Sequence, residues 1–145
     1  MKNLLYVLII FHAIASANDA PTRTEEFPKN EMKSQNKTIA EMFVKEISKG
    51  LPQTIDKYTR FVDITNEDAN LIYTFEINTG SKSDEAVKKE DRTRMSEAVR
   101  TGVCESSQKF LEAGINTSYI YISANSKARL FQFDITQKDC SELID

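Results

Sequence analysis

The chain has 145 residues, with 19 Lys+Arg against 22 Asp+Glu, a net charge of −3 and a single histidine, His12. That length allows one domain and hardly two. A hydrophobic content of 40% and a charged content of 28% are ordinary for a globular domain, and the weakly acidic balance gives no sign of a nucleic-acid binder.

Residues 1–17 have a short basic start at Lys2, an apolar run Leu4–Phe11 and a small-residue end Ala15-Ser16-Ala17. This is the pattern of a secretory signal peptide, with cleavage expected between Ala17 and Asn18. The apolar run is short for the ~30 Å of hydrocarbon that a permanent anchor must cross. No cysteine lies near the cut to accept a bacterial lipid, and no later stretch is long and apolar enough to span a membrane. Cleavage removes Lys2 and His12, so residues 18–145 carry a net charge of −4 and contain no histidine and no tryptophan.

A His-free chain has no Ser-His-Asp or Cys-His nucleophile system and none of the common His-containing zinc sites. Two cysteines are too few for a Cys₄ zinc site or an iron–sulfur cluster. No phosphate-cradling glycine loop is present. Carboxylate chemistry survives, but Glu85, Glu90, Asp91 and Glu97 alternate with Lys88, Lys89, Arg92, Arg94 and Arg100 as on a solvated helix face. The expectation is a chain that is not an enzyme and uses no cofactor and no metal.

Residues 18–36 are polar, with Pro21 and Pro28, and read as a flexible leader; residues 37–145 read as a single domain. Within that domain Thr38-Ile39-Ala40-Glu41 has the form of a capping box, with Thr38 as N-cap. Ile39, Phe43 and Ile47 then give a helix an apolar face, which Gly50 and Pro52 terminate. Lys57 to Ile64 and Leu71 to Ile77 predict a hairpin closed by a four- or five-residue loop at Asn66–Asn70. Ser83 caps a helix running to about Thr101, with Val87, Met95, Ala98 and Val99 as its apolar stripe. A break at Gly102 and a second helical piece from Glu105 to Ala113 follow. Thr117 to Ile122 and Leu130 to Ile135 predict a second hairpin. The order α-β-β-α-α-β-β implies an α+β fold, an antiparallel four-stranded sheet made of two hairpins with the helices on one face.

Cys104 and Cys140 are the two cysteines, an even count in a chain expected to meet an oxidising compartment. A structural disulfide is favoured over a reactive thiol pair because the Cys-x-x-Cys spacing is absent. The aromatic pairs Tyr73/Phe75 and Phe131/Phe133 fit core better than groove. Asn36-Lys37-Thr38 and Asn116-Thr117-Ser118 match the N-glycosylation pattern.

The run of features from Thr38 to Cys140 resembles the beta-type pilotins of bacterial type II secretion. The resemblance lies in the helix followed by Leu51-Pro52, the Val103-Cys104-Glu105-Ser106 segment, Leu111 leading to Gly114-Ile115-Asn116, the strand Tyr119-Ile120-Tyr121-Ile122, and the ending at Cys140. Small exported bacterial proteins with the same two-cysteine frame are similar as well. The resemblance implies a periplasmic-side protein that binds the C-terminal segment of an outer-membrane secretin and aids its assembly, with the two cysteines joined. Pilotins are typically lipoproteins, whereas here the signal segment ends in Ala-Ser-Ala, so a lipid anchor is not implied. A second class fits the same composition: a secreted inhibitor or immunity-type protein presenting acidic loops such as Glu67-Asp68 or Asp139–Glu142 to a basic enzyme outside the cytoplasm. The surface that would bind a partner is unknown at this level.

The cleavage reading predicts that the full chain, expressed with export, yields a protein whose intact mass begins at Asn18. A mass that retains residues 1–17 contradicts it.

Overall fold

A computed structural model describes residues 29–141. The signal segment, its Ala17/Asn18 junction and residues 18–28 lie outside the described residues. The elements are α1 (Lys29–Ser48), β1 (Gln53–Thr54), β2 (Thr59–Glu67), β3 (Asn70–Ile77), α2 (Asp84–Ser106), α3 (Gln108–Glu112), β4 (Asn116–Ser123), β5 (Arg129–Ile135) and α4 (Gln137–Ser141).

The first helix starts at Lys29 instead of at Thr38. Thr38 is therefore interior, and its hydroxyl donates to the Ser34 carbonyl at 3.1 Å rather than capping a free N–H. A tertiary contact rewards the extra turns: Asn36 Nδ2 donates to the Ala113 carbonyl at 2.7 Å. The same bond engages the amide of Asn36, the acceptor of one of the two glycosylation motifs, at the surface of the fold. Of all the residues in α1, Ala40 alone is fully buried. After Gly50 the two-residue strand β1 pairs with β2, Gln53 opposite Phe61 and Thr54 opposite Arg60. Two residues are too few to show any alternation in sequence.

β2 and β3 form the expected hairpin, with a tighter turn than the sequence suggests. Glu67 pairs with Asn70, which leaves Asp68-Ala69 as the loop. Asp68 takes φ 50°, a left-handed conformation that aspartate tolerates better than most residues. A bulge at Val62, between Phe61 and Asp63, shifts the register. It lets Phe61 and Ile64, three residues apart, oppose Phe75 and Tyr73 on the same face of the sheet.

Ser83 caps α2 as expected, its Oγ accepting from the Ala86 N–H at 3.2 Å. The helix continues through Gly102 and breaks at Ser107, whose φ −122° and ψ 15° leave the helical region. Gly114, at φ 88°, then turns the chain into β4.

The expected antiparallel four-stranded sheet is corrected at this point. The sheet has five strands in the order β1-β2-β3-β4-β5, and β3 and β4 are parallel. The physical reason is the length of α2. A 23-residue helix rises ~35 Å, enough to carry the chain back along an eight-residue strand and start the next one from the same end. Two hairpins joined by such a helix become neighbours through a βαβ crossover. The fold remains α+β, with a mixed sheet.

The helices cover one face. Leu71 and Tyr73 of β3 pack with Ala40 of α1, and Phe75 and Ile77, in the same alternation, pack with the α2 cluster. That larger cluster joins Val87, Val99 and Val103 to Tyr121, Phe131, Phe133 and Ile135. Cys104 of α2 and Cys140 of α4 form a disulfide that closes a separation of 36 residues. The opposite face sets Ile72, Ile120 and Ile122 among polar side chains, where Glu76 meets Arg60 at 3.7 Å and Lys127 at 2.6 Å. On the same side, Asn70 donates to Ser118, which donates to Asp134 at 2.6 Å.

Thr117 is 1% exposed, and its Oγ1 has no hydrogen-bond partner. Thr117→Val replaces this unpaired hydroxyl with a methyl group in a strand position. Its unfolding free energy is expected to rise by about 1 kcal/mol in urea titration. A fall of that size would show that the hydroxyl is bonded after all.

Candidate functional site

The strand register builds a row of rings across the helix-facing side of the sheet. Parallel pairing sets Tyr73 beside Tyr119 and Phe75 beside Tyr121, and the β2–β3 ladder sets Phe61 beside Phe75. The rings stack, with centroids at 5.0 Å for Phe61–Phe75, 4.8 Å for Tyr73–Tyr119 and 5.2 Å for Phe75–Tyr121. Such pairs contribute about 0.5–1.5 kcal/mol each beyond the area they bury.

α1 lies over β2 and β3, and α2 lies over β5. Beside α2, a cleft of about 400 Å³ opens onto the row, with Phe75, Tyr119 and Tyr121 in its lining. One wall is α2, which presents Met95, Ala98, Val99 and Gly102 at helical spacing. Gly102 sits inside the helix, where glycine costs ~1 kcal/mol relative to alanine. A Cβ placed there would meet nothing within 4 Å, so the helix backbone faces open space. The rim is the loop before β2, with Ile55 and Asp56, and Thr59 at the start of β2. Ile55 is 53% exposed, an apolar side chain held in water at the mouth of an apolar cleft.

Asp56 fixes that rim. Its Oδ1 accepts from the N–H groups of Tyr58 at 2.7 Å and Thr59 at 2.8 Å. The Tyr58 N–H, followed by partly opposing desolvation and the Thr59 contacts, holds this carboxyl below the usual aspartate range. A second hollow of about 470 Å³ shares Asp56, Thr59 and Met95 and runs toward Thr79 and Lys82. There the lining turns polar, with Lys82 paired to Glu90 and Arg94 paired to Asp91. The whole depression is apolar at the Gly102 end and charged at the Lys82 end.

Burial pushes the phenols of Tyr73, Tyr119 and Tyr121 upward, which keeps them neutral and unsuited to act as bases near neutral pH. Among the described residues no group of three His, Cys, Asp or Glu side chains is placed to hold a metal ion. Among them, too, no helix is long and apolar enough to cross a membrane.

The residues singled out in the sequence divide between structure and site. Cys104 and Cys140 come together as the staple behind α2. Phe131 and Phe133 are core, whereas Phe75 lines the cleft. Of the two acidic segments, Asp68 is exposed, 3.8 Å from Lys37, and Glu142 lies outside the described residues. Asp139 accepts the Thr136 N–H and hydroxyl at 2.8 and 2.7 Å. Desolvation raises the Asp139 carboxyl, and the Thr136 bonds outweigh it, leaving a net lowering. The sequence reading missed Ile55, Asp56 and the open side of Gly102. Ala98 and Gly102, small residues one turn apart, were the available signal.

The buried phenols set an alkaline limit. Unfolded tyrosines ionise near pH ~10, whereas burial, followed by the neighbouring Tyr119, pushes Tyr121 up to about 12. Their folded pKa values are raised, so the unfolded state gives up protons first as pH rises. Stability from this source is complete below pH ~10 and drains away toward about 12. Ultraviolet titration of the native protein should show three late phenols; ionisation of all of them near pH ~10 with the fold intact would mean the row is open to water.

No protein-family model matches the chain, and no curated protein matches it. Solved structures do. A protein from Pseudomonas aeruginosa described as secreted superposes with a TM-score of 0.66 at 16% identity, over 75% of this chain and 96% of its own. The pilotin EpsS of the Vibrio vulnificus type 2 secretion system gives 0.65 at 15% identity, over 77% and 96%. The type II secretion system pilotin AspS of Vibrio cholerae gives 0.62 at 15% identity, over 77% and 98%. At these identities the likeness is one of fold: the chain has the fold of the type II secretion pilotins.

Proposed function

We propose that this chain is an exported, pilotin-like binding protein. Its cleft captures a segment of an envelope protein, the C-terminal segment of a secretin, and assists that protein's assembly. The observation that carries the reading is the cleft itself: an apolar, aromatic-floored depression with bare helix backbone at Gly102, on the fold of two secretion pilotins. A partner side chain or helix can approach the α2 backbone there more closely than at any position with a Cβ.

The reading is one of binding rather than catalysis. Residues 18–145 contain no histidine, and the cleft offers no nucleophile paired with a base. It is also a reading of capture rather than anchoring, since the expected signal cut leaves no cysteine to carry a lipid. Export would place the protein in the periplasm or outside the cell, where the Cys104–Cys140 bond persists.

The test is binding of residues 18–145 to a synthetic peptide spanning the C-terminal segment of the secretin from the same organism. Wild type and Thr74→Arg, a change on the opposite face of β3, should bind alike. Gly102→Arg should fill the cleft and weaken binding at least about tenfold, which is ~1.4 kcal/mol, while circular dichroism shows the fold retained. Equal binding by Gly102→Arg would move the site elsewhere. No binding by wild type would reject the secretin partner.

A further inference from the structure

The two long helices are held to the sheet by very different means. α2 places Val87, Val99 and Val103 in the main core with Phe131 and Phe133, and the Cys104–Cys140 bond ties it to α4. α1 belongs to a separate, small cluster whose buried members are Ala40, Leu71 and Ile115. Phe43 reaches Phe110 edge-on at 5.5 Å. Val44 packs against the same cluster, and among the described residues the polar ties from α1 side chains to the body are the Asn36–Ala113 hydrogen bond and the Lys37–Asp68 pair at 3.8 Å. An exposed pair of that length contributes little. Met32, Ile39 and Met42 on α1 remain in water, Met42 at 67% exposure. An element with one fully buried residue and few polar ties opens at lower free energy than the core it lies on.

What α1 covers is the far half of the aromatic row. Tyr73 packs against the α1 cluster on one side and stacks on Tyr119, a cleft residue, at 4.8 Å on the other. With α1 docked, the accessible floor stops at Tyr119. With α1 lifted, it continues across Tyr73 to Leu71.

We infer that α1 is a displaceable cover on the part of the aromatic row beside the cleft, undocking from the sheet as a unit while β2–β5 and α2 stay folded, and so lengthening the floor available to a bound segment. The connection Lys49–Pro52 is the pivot, since it lies between the last turn of α1 and the first ladder pair of β1. Two states then exist: a closed one with Tyr73 beneath α1, and an open one with Tyr73 offered to a ligand. A segment that touches Tyr73 binds only the open state and shifts the population toward it. The use of the device rests on the capture reading, but the motion is tested without any partner.

The experiment is native-state hydrogen exchange on residues 18–145 in increasing low denaturant. In wild type, the amides of Ala40–Ile47 should exchange at least about 100-fold faster than those of β3 and β4, with a smaller denaturant dependence. Asn36→Ala, which removes the bond to Ala113, should speed α1 exchange by about tenfold and leave β3, β4 and α2 unchanged. If α1 amides exchange only through global unfolding in wild type, the inference is overturned. If Asn36→Ala accelerates every element equally, it is overturned as well. Failure of peptide binding would sink the capture reading and leave this result standing.

Discussion

The parallel pairing of β3 with β4 is the constraint on which the rest of the molecule depends. It sets Tyr73 against Tyr119 and Phe75 against Tyr121, and thereby lines up the aromatic row. It also demands a crossover, and α2 is that crossover. An antiparallel arrangement of the same two hairpins would need no helix passing over the sheet here. Cleft floor and cleft wall thus have one origin: the chain must travel back along the sheet before it can lay down β4.

The cleft persists because the two long helices do not close over it. α2 is drawn to the β5 side by Phe131, Phe133 and Ile135, and α1 to the opposite side by Leu71. The disulfide reinforces this separation by fixing α2 to the short helix after β5. In the chain-entropy picture, closing a loop of 36 residues is worth roughly 4 kcal/mol. That is a large share of the ~5–15 kcal/mol net stability of a domain this size. The staple therefore belongs to the architecture of the site even though the sulfurs are not among the cleft residues. The face opposite, with the Arg60–Glu76–Lys127 cluster and the Asn70–Ser118–Asp134 chain, keeps water on the side that no helix covers.

Much of this was readable in the residues, and the failures have identifiable causes. The strand cores of β3, β4 and β5 were legible because alternation is strong over Leu71–Ile77, Thr117–Ile122 and Leu130–Ile135. The Ser83 cap and the cysteine pair were legible because local chemistry decides them. The start of α1 was not, because a tertiary bond from Asn36 overrode the capping pattern at Thr38. The parallel register was not, because it follows from where a long helix deposits the chain and leaves no mark on either strand. The site was the least legible part. Its floor uses the same aromatic residues as a core, and only the absence of a covering side chain at Gly102 distinguishes the two. Absence of cover is a property of the assembled fold.

On the proposed function, the α2 side of the sheet, and not the opposite face, meets an envelope partner. Site-specific photo-crosslinking tests it most directly. A benzophenone amino acid placed at Ala98, on the cleft wall, or at Thr74, on the opposite face, would be activated in intact cells of the source organism. An adduct with the secretin is expected from position 98 and none from position 74. Adducts from position 74 alone, or from neither position, would contradict it.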